Sequence, residues 1–283
     1  MCRFLAYKGE PLVLHDVLVK PAHSIIAQSY RAQDRGGALN GDGFGLGWYE
    51  AAISELPAIF RSLQPAWGNA NLASVARLIR TAHFVAHVRG AYEGMEVSEL
   101  NCHPFHWRQF MFMHNGLVAE FPKVRLHLRS MLSDEAFTTI RGTTDSEQLF
   151  ALFIDRWRRL GSPRESDGVS TALVGALGVL NEILGEIDAD TASNLNLVVT
   201  DGHTLVATRY NTSGEVPPSL YLAAGDNVLA GSGYRHTSPD DSSRGVFVAS
   251  ERFSDDGSWE SVLPNHIVVV QEDLTVSSTP ITV

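Results

Sequence analysis

Short runs of alternating hydrophobic and polar residues fill the first part of the chain, a pattern typical of β-strands. The runs at 84–89 and 109–114 each end in a polar cluster, and a turn-rich NGDG at 40–43 precedes the run at 44–49. Asn71 is a candidate N-cap for a short helix that would continue through Arg80. The predicted strands are 3–8, 44–49, 84–89 and 109–114.

Helical spacing replaces this pattern after Thr144. Apolar residues recur at helical intervals from Leu149 onward, until Gly161 and Pro163 stop the helix. A second helix is predicted over 170–185, where leucines recur at the same intervals. The chain then returns to strand-like runs at 195–200, 205–210, 220–224, 245–249 and 267–271.

No long linker or repeat divides these elements, so we predict one α+β domain over residues 1–283. The formal net charge is -10, which disfavours phosphate backbones and anionic lipid as partners. Lys8 and Glu10 interrupt the apolar run that a signal peptide needs, and no apolar stretch approaches the length of a membrane span. We therefore expect a cytoplasmic protein that binds neither nucleic acid nor a membrane.

The two cysteines, Cys2 and Cys102, are too few for a disulfide framework, so free thiols are expected. Cysteine is small enough for removal of Met1, which would leave a free α-amino group beside the Cys2 thiol. Reference pKa values of about 7.7–8.0 for the amine and about 8.5 for the thiol let them exchange a proton near neutrality. A buried thiol in an N-terminal strand is the other interpretation of Cys2 taken alone.

Cys2 is followed by further motifs in a fixed order. These are HVRGA at 87–91, NCHPF at 101–105, HNG at 114–116 and TDSE at 144–147. With Cys2 they resemble the N-terminal nucleophile glutaminase domain of class II glutamine amidotransferases. Segments 40–49 and 249–270 resemble its stand-alone branch, which includes γ-glutamyl hydrolases of thiol and ergothioneine metabolism. The resemblance implies an Ntn-hydrolase fold, a four-layer αββα sandwich of two antiparallel sheets flanked by helices.

The resemblance also implies a role for each matching residue. Cys2 would attack the γ-carboxamide carbon, while the side chain of Asn115 and the backbone N–H of Gly116 hold the oxyanion. Arg89 would grip the α-carboxylate of the substrate with its planar fork, and Asp145 would bind the α-ammonium. From the residues alone, Asn-Gly is also typical of a hairpin turn, and an arginine at a strand end is also typical of a structural ion pair.

The remaining motif residues have supporting interpretations. Asn101 and His103 are expected to line the glutamine pocket or to support it, and Cys102 is expected in the core. TDSE also has the pattern of a capping box, with Thr144 as the N-cap and Glu147 as its partner.

No metal or cofactor is required by this chemistry. The histidines and cysteines between His83 and His114 lack a recognised zinc spacing. The glycines of GDGFGLG at 41–47 lack the setting of a nucleotide-binding loop and predict a tight hairpin with close backbone approach.

The expected function is hydrolysis of a γ-glutamyl amide by Cys2 through a γ-glutamyl thioester, with release of glutamate. The expected partner is a small molecule: glutamine, a γ-glutamyl peptide such as glutathione, or a γ-glutamylated sulfur metabolite of the ergothioneine route. Two alternatives stay open: a glutaminase subunit that delivers ammonia to a separate synthase, and a non-catalytic γ-glutamyl binding module.

Overall fold

Two antiparallel sheets, each flanked by helices on its outer face, form the fold. The structure is a computed structural model that describes residues 2–34, 39–92, 94–163, 166–226, 244–255 and 258–283. Met1, whose removal the sequence predicts, lies outside the described residues.

The elements are named in chain order. The strands are β1 (Arg3–Val13), β2 (Phe44–Glu50), β3 (Ser54–Ser62), β4 (Arg80–Val88), β5 (Phe105–Trp107), β6 (Phe110–Leu117), β7 (Asn194–Thr200), β8 (Leu205–Arg209), β9 (Tyr221–Asp226), β10 (Arg244–Ala249), β11 (Glu260–Ser261), β12 (His266–Val270) and β13 (Val276–Pro280). The helices are α1 (Leu14–Leu18), α2 (Ile25–Gln28), α3 (Ala70–Ala76), α4 (Phe121–Met131), α5 (Asp134–Phe137), α6 (Asp145–Arg159) and α7 (Ser166–Glu186).

Strand β1 lies at the centre of the first sheet, whose strands run in the order β11-β9-β10-β1-β4-β2-β3. The second sheet has the order β13-β12-β8-β7-β6-β5. Arg3 pairs with Val88 of β4, and Leu5 pairs with Ala249 of β10. The chain directly after Cys2 is therefore held by neighbouring strands on both sides.

The side chains of β1 alternate between two cores, as expected for a strand between two layers. Phe4 and Ala6 pack between the two sheets, whereas Leu5 and Tyr7 belong to the core that α1, α2 and α3 cover. In β6, Met111 likewise faces the first sheet, and the phenylalanines beside it pack in the core with α6 and α7. The predicted four-layer αββα sandwich is confirmed.

The helix predicted from Asn71 to Arg80 is wrong in both bounds. The N-cap of α3 is Asn69, whose Oδ1 accepts the backbone N–H of Leu72 at 2.8 Å. Arg80 begins β4 and pairs with Val13 of β1, so pairing in the sheet ends the helical segment earlier. The elements that the pattern did not predict are α1, α2, α4, α5, β3, β5, β11 and β13.

The capping box predicted at α6 is half confirmed. Thr144 is the N-cap, because its Oγ1 accepts the backbone N–H of Glu147 at 3.2 Å. The Glu147 carboxylate accepts the backbone N–H groups of Arg141 at 2.9 Å and Gly142 at 2.6 Å. The Glu147 side chain therefore braces the loop before the helix. In the predicted capping box it would instead accept the backbone N–H of Thr144.

Helix α7 contains a segment, Asp167–Glu186, that is long and apolar enough to cross a membrane by length and composition. The expectation that no apolar stretch approaches the length of a membrane span is therefore wrong. In the fold, 56% of its apolar window is buried, and Leu173, Leu177 and Leu180 pack in the core behind the second sheet. Core packing accounts for the apolar character, and no other helix in the described ranges passes this test.

We expect Asp155→Asn to destabilise the protein by about 1 to 3 kcal/mol at pH 7. The carboxylate is buried and accepts hydrogen bonds from the Ser133 N–H at 3.0 Å, Arg156 at 2.7 Å and Arg159 at 2.6 Å. Burial alone would raise the pKa of Asp155, but these bonds lower it to about 2. The folded pKa lies below the unfolded value of about 3.9, so this stabilisation is present above pH ~4 and is lost as the pH falls through ~2.

Urea unfolding at pH 7 and at pH 2.5 tests this pH dependence. The difference between Asp155→Asn and wild type should shrink at the lower pH. The control is Glu182→Gln, which changes an exposed carboxylate on α7 and should differ little from wild type at either pH. An equal Asp155→Asn effect at both values would contradict the assignment.

Candidate active site

Cys2 lies one residue before β1, on the face that Phe4 and Ala6 direct between the sheets. It is half-buried, and its Sγ lies 3.7 Å from the carbonyl oxygen of Gly90, to which the thiol donates. Burial raises the pKa of the thiol. The bond to Gly90 and the charge of Arg89 oppose that shift, while the charge of Asp145 adds to it. The fold thus brings three sequence-predicted residues, Cys2, Arg89 and Asp145, within electrostatic reach of one another.

Arg89 follows β4 and is buried. Its Nη2 donates to the carbonyl oxygen of Glu96 at 3.0 Å, whereas Nη1 has no hydrogen-bond partner among the described residues. No described carboxylate lies within ion-pair distance of the guanidinium, so the structural ion pair considered for this arginine is absent from the described chain. A buried cation with an open donor is suited to an anionic ligand.

Asp145 is the first residue of α6 and is also buried. Its Oδ2 accepts the backbone N–H of Val118 at 2.9 Å, and its Oδ1 accepts the N–H of Ser146 at 2.7 Å. These bonds fix the carboxylate between the end of β6 and the start of α6. It has no cationic partner in the described ranges, so the site holds one unpaired charge of each sign.

The side-chain amide of Asn101 makes hydrogen bonds to two loops. Its Nδ2 donates to the carbonyl oxygen of Glu96 at 3.0 Å, the same oxygen that Arg89 contacts. The Asn101 Oδ1 accepts the backbone N–H of Thr143 at 2.9 Å. Asn101 therefore braces the loop that holds Arg89 against the loop before α6. Of the two roles considered for it, lining the pocket or supporting it, these bonds favour support.

His103 is buried and packs against the ring of His87, with ring centroids 4.1 Å apart and the planes tilted by 30°. The rings of Phe105 and His103 also pack edge to face, with centroids 4.6 Å apart. Burial lowers the pKa of His103 well below its usual value and that of His87 to about 3, so both rings are neutral at pH 7. Cys102 is fully buried and donates to the carbonyl oxygen of Ser98, in agreement with its predicted place in the core.

Asn115 and Gly116 do not form a turn, so the hairpin turn considered as an alternative for Asn-Gly is wrong. They lie in β6, where Asn115 pairs with Asn196 and Gly116 pairs with Leu195 of β7. On the side of β7 that faces away from β6, the Leu195 N–H donates to the carbonyl oxygen of Tyr210 at 2.8 Å. Gly116 and Leu195 are therefore a non-hydrogen-bonded pair. The Gly116 N–H therefore points away from β7, toward the opposite edge of β6. Strand β5 pairs with β6 only at residues 110–112, so it does not cover this edge at Gly116.

We expect Gly116→Ala to destabilise the fold by about 1 to 3 kcal/mol or more. A Cβ at this position would lie 1.8 Å from the carbonyl oxygen of Asn194 and 2.7 Å from Nε2 of His114, so β6 and β7 must separate. Thermal unfolding measures the loss. The control is Gly185→Ala on α7, where a Cβ meets nothing within 4 Å and the protein should be at least as stable as wild type. Equal stability of Gly116→Ala and wild type would contradict this account of the strand spacing.

The glycines of GDGFGLG approach another backbone closely, as predicted. A Cβ on Gly45 would lie 1.8 Å from the carbonyl oxygen of His103. The predicted hairpin is wrong, because residues 44–50 run as β2. Among the described residues, no group of three or more His, Cys, Asp or Glu side chains is arranged to hold a metal ion.

A buried ion pair beside Cys2 was not predicted from the sequence. Arg3 donates from Nη1 to the carbonyl oxygen of Cys2 at 2.9 Å and from Nε to Glu251 at 2.5 Å. Glu251 also bonds to His23 at 2.9 Å and accepts the backbone N–H of Gln33 at 3.0 Å. The available signal was a charged residue beside an apolar run, since both Arg3 and Glu251 adjoin hydrophobic runs.

The four-layer αββα sandwich has the Ntn-hydrolase fold, with Cys2 at the head of its central strand and with buried Arg89 and Asp145 within electrostatic reach of the thiol. A family profile described as glutamine amidotransferases class-II matches residues 16–282, a span that begins after Cys2. The chain belongs to the class II glutamine amidotransferases, and it is an amidohydrolase of that class.

Named relatives span nearly all of this chain. The probable glutamine amidotransferase DUG3 of Saccharomyces cerevisiae is 37% identical over 96% of this chain and 82% of its own length. The gamma-glutamyl-hercynylcysteine sulfoxide hydrolase of Mycolicibacterium smegmatis is 29% identical over 99% of this chain and 100% of its own.

Solved structures agree with the fold. A glutamine aminotransferase class-II domain protein from Silicibacter pomeroyi superposes with a TM-score of 0.69 at 26% identity, over 100% of both chains. The glutamine phosphoribosylpyrophosphate amidotransferase of B. subtilis superposes with a TM-score of 0.62 at 13% identity, over 99% of this chain and 49% of that one. The second similarity bears on the fold alone.

Proposed function

We propose that this enzyme hydrolyses the γ-amide bond of a γ-glutamyl compound, with the Cys2 thiolate as nucleophile once Met1 has been removed. The observation that carries the proposal is the pair of buried, unpaired charges near the thiol. Arg89 has an open donor and Asp145 has no cationic partner in the described chain. A free amino-acid end carries one carboxylate and one ammonium, so it matches both charges.

The proposed first step forms a thioester. The α-amino group takes the proton of the Cys2 thiol, whose pKa burial has raised, so the thiolate forms as it attacks. The new C–S bond gives a tetrahedral intermediate, and its oxyanion is held by the Gly116 N–H and the amide of Asn115. The C–N bond then breaks, and the α-ammonium group donates its proton to the leaving amine.

The second step releases glutamate. The same α-amino group accepts a proton from water as the water attacks the thioester carbon. The C–S bond breaks, the thiolate regains a proton, and the γ-glutamyl group leaves as glutamate. Asn101 and His103 support this chemistry by holding the pocket: Asn101 braces two loops, and the buried, neutral ring of His103 packs against the ring of His87.

The substrate stays a proposal within one chemical class. The Mycolicibacterium smegmatis relative, which matches this chain end to end, is named as a hydrolase of a γ-glutamyl compound, and this supports hydrolysis without a synthase. Candidates are glutamine, a γ-glutamyl peptide such as glutathione, and a γ-glutamylated sulfur metabolite. A second candidate function is ammonia delivery to a separate synthase, which the amidotransferase name of the Saccharomyces cerevisiae relative favours.

A substrate panel tests the proposal. Protein whose loss of Met1 has been verified by mass spectrometry is incubated with glutamine, glutathione and other γ-glutamyl amides, and released glutamate is measured. Glutamate from at least one compound without any added protein is the expected result. Release that requires an added synthase would support ammonia delivery, and no release under either condition would exclude both functions.

A further inference from the structure

Ser250 is a buried residue at the head of the nucleophile strand. It directly follows β10, and its backbone N–H donates to the carbonyl oxygen of Phe4 at 3.0 Å. Its side-chain Oγ accepts the backbone N–H of the same Phe4 at 3.1 Å. Ser250 thus holds both backbone groups of a residue two positions from Cys2.

The same hydroxyl reaches the other sheet. Oγ of Ser250 lies 3.2 Å from Nδ2 of Asn115, a residue of β6 that is 135 positions away in sequence. Phe4 belongs to the first sheet and Asn115 to the second. One oxygen atom therefore links the strand that carries the nucleophile to the strand that carries the oxyanion donors.

The hydrogen bonds around Asn115 indicate how its amide is oriented. With Nδ2 toward Ser250, the buried Oδ1 has no partner among the described residues, and the Ser250 hydroxyl hydrogen has no described acceptor. Turning the amide over exchanges the two atoms, and amide orientation is judged from the surrounding hydrogen bonds. The Ser250 hydroxyl then donates to Oδ1, which satisfies both groups and directs Nδ2 to the position without a protein partner.

We propose that Ser250 is a positioning residue for the reaction. Its hydroxyl accepts from the Phe4 N–H and donates to Asn115 Oδ1, and so it fixes the orientation of the oxyanion donor and its separation from Cys2. This inference rests on the proposed function. Oxyanion donors act at about 2.7–3.1 Å, so a small displacement of Nδ2 slows the chemical step.

The test is a double-mutant cycle on kcat for glutamate release. Ser250→Ala is expected to lower kcat by about 10- to 100-fold, part of the loss caused by removing an oxyanion donor, with KM changed less than about threefold. The double variant Ser250→Ala/Asn115→Ala should be no slower than Asn115→Ala alone, because the serine acts through the asparagine. Thermal stability is measured for every variant.

The control is Ser193→Ala, which removes another fully buried hydroxyl that accepts a backbone N–H, that of Ala119 at 2.9 Å. It should lower thermal stability and leave kcat near that of wild type. If Ser250→Ala does not fold, Ser250→Thr and Ser250→Val replace it, since they have the same shape and differ in the hydroxyl. The threonine variant should then have the higher kcat.

Three outcomes would overturn the inference. Independent, multiplicative losses from Ser250→Ala and Asn115→Ala would show that the serine does not act through the asparagine. Equal kcat values for the threonine and valine variants would show that the hydroxyl has no role. A wild-type protein that releases no glutamate from any substrate would instead overturn the proposed function, and the inference with it.

Discussion

Replacing Cys2 by alanine is expected to lower kcat for glutamate release by on the order of 10^4-fold or more, the largest effect of any single substitution in this site. In the proposed mechanism no γ-glutamyl thioester forms without the thiolate, and the remaining groups would act only on direct attack by water. Substrate affinity should change little, because in the proposed mechanism Arg89 and Asp145 bind the amino-acid end, and neither bonds directly to Cys2 among the described contacts.

The measurement is released glutamate by mass spectrometry, with substrate affinity from calorimetry on the same protein. The matched control is Cys102→Ala, which removes the other thiol of the chain from a fully buried position. This control should lose stability and retain turnover. Substantial turnover by Cys2→Ala would show that the nucleophile is another group.

Arg89→Ala is expected to lower kcat/KM by about 30- to 5,000-fold, the equivalent of about 2 to 5 kcal/mol for a buried charged hydrogen-bonded pair. The substrate carboxylate would lose its cation, and Asp145 would be left as a buried charge in the same site. Arg89→Lys should recover only part of this loss, because an ammonium group lacks the planar fork that holds a carboxylate at two points.

A substrate without the α-carboxylate makes the Arg89 test specific. Wild-type enzyme should strongly prefer glutamine to 4-aminobutanamide, and Arg89→Ala should abolish most of that preference. The control is Arg209→Ala, which removes another buried arginine whose Nε donates to the carbonyl oxygen of Pro218 at 2.9 Å. It should keep the wild-type preference. An unchanged preference in Arg89→Ala would show that another group binds the carboxylate.

Long periodic segments of this protein could be predicted from local sequence. Helices α6 and α7 have 15 and 21 residues, enough for their apolar faces to show a helical period, and Thr144 is a local cap signal that the structure confirms. Helices α1, α2 and α5 have four or five residues, too few to show a period. Strand β3 was not predicted, because its first residues are exposed and do not alternate between hydrophobic and polar.

The Asn115-Gly116 pair shows where local preference fails. Asn-Gly favours tight turns in isolation, but here both residues pair with β7 in an extended strand. The spacing of the two strands leaves no room for a side chain at Gly116, so its glycine is explained by close contact with Asn194 rather than by a turn. The pairing partner lies about 80 residues away, so no local window contains this information.

The order of the motifs was enough, without a structure, to give the family, the sandwich of two sheets and the set of candidate side chains. Their environment depended on packing between strands that are distant in sequence: the open donor of Arg89, the direction of the Gly116 N–H, and the contact of Ser250 with Asn115 across 135 residues. Strand register and the stacking of layers decide which of these groups meet. A sequence pattern specifies which face of each strand is apolar, whereas the fold specifies which polar groups meet at the strand ends.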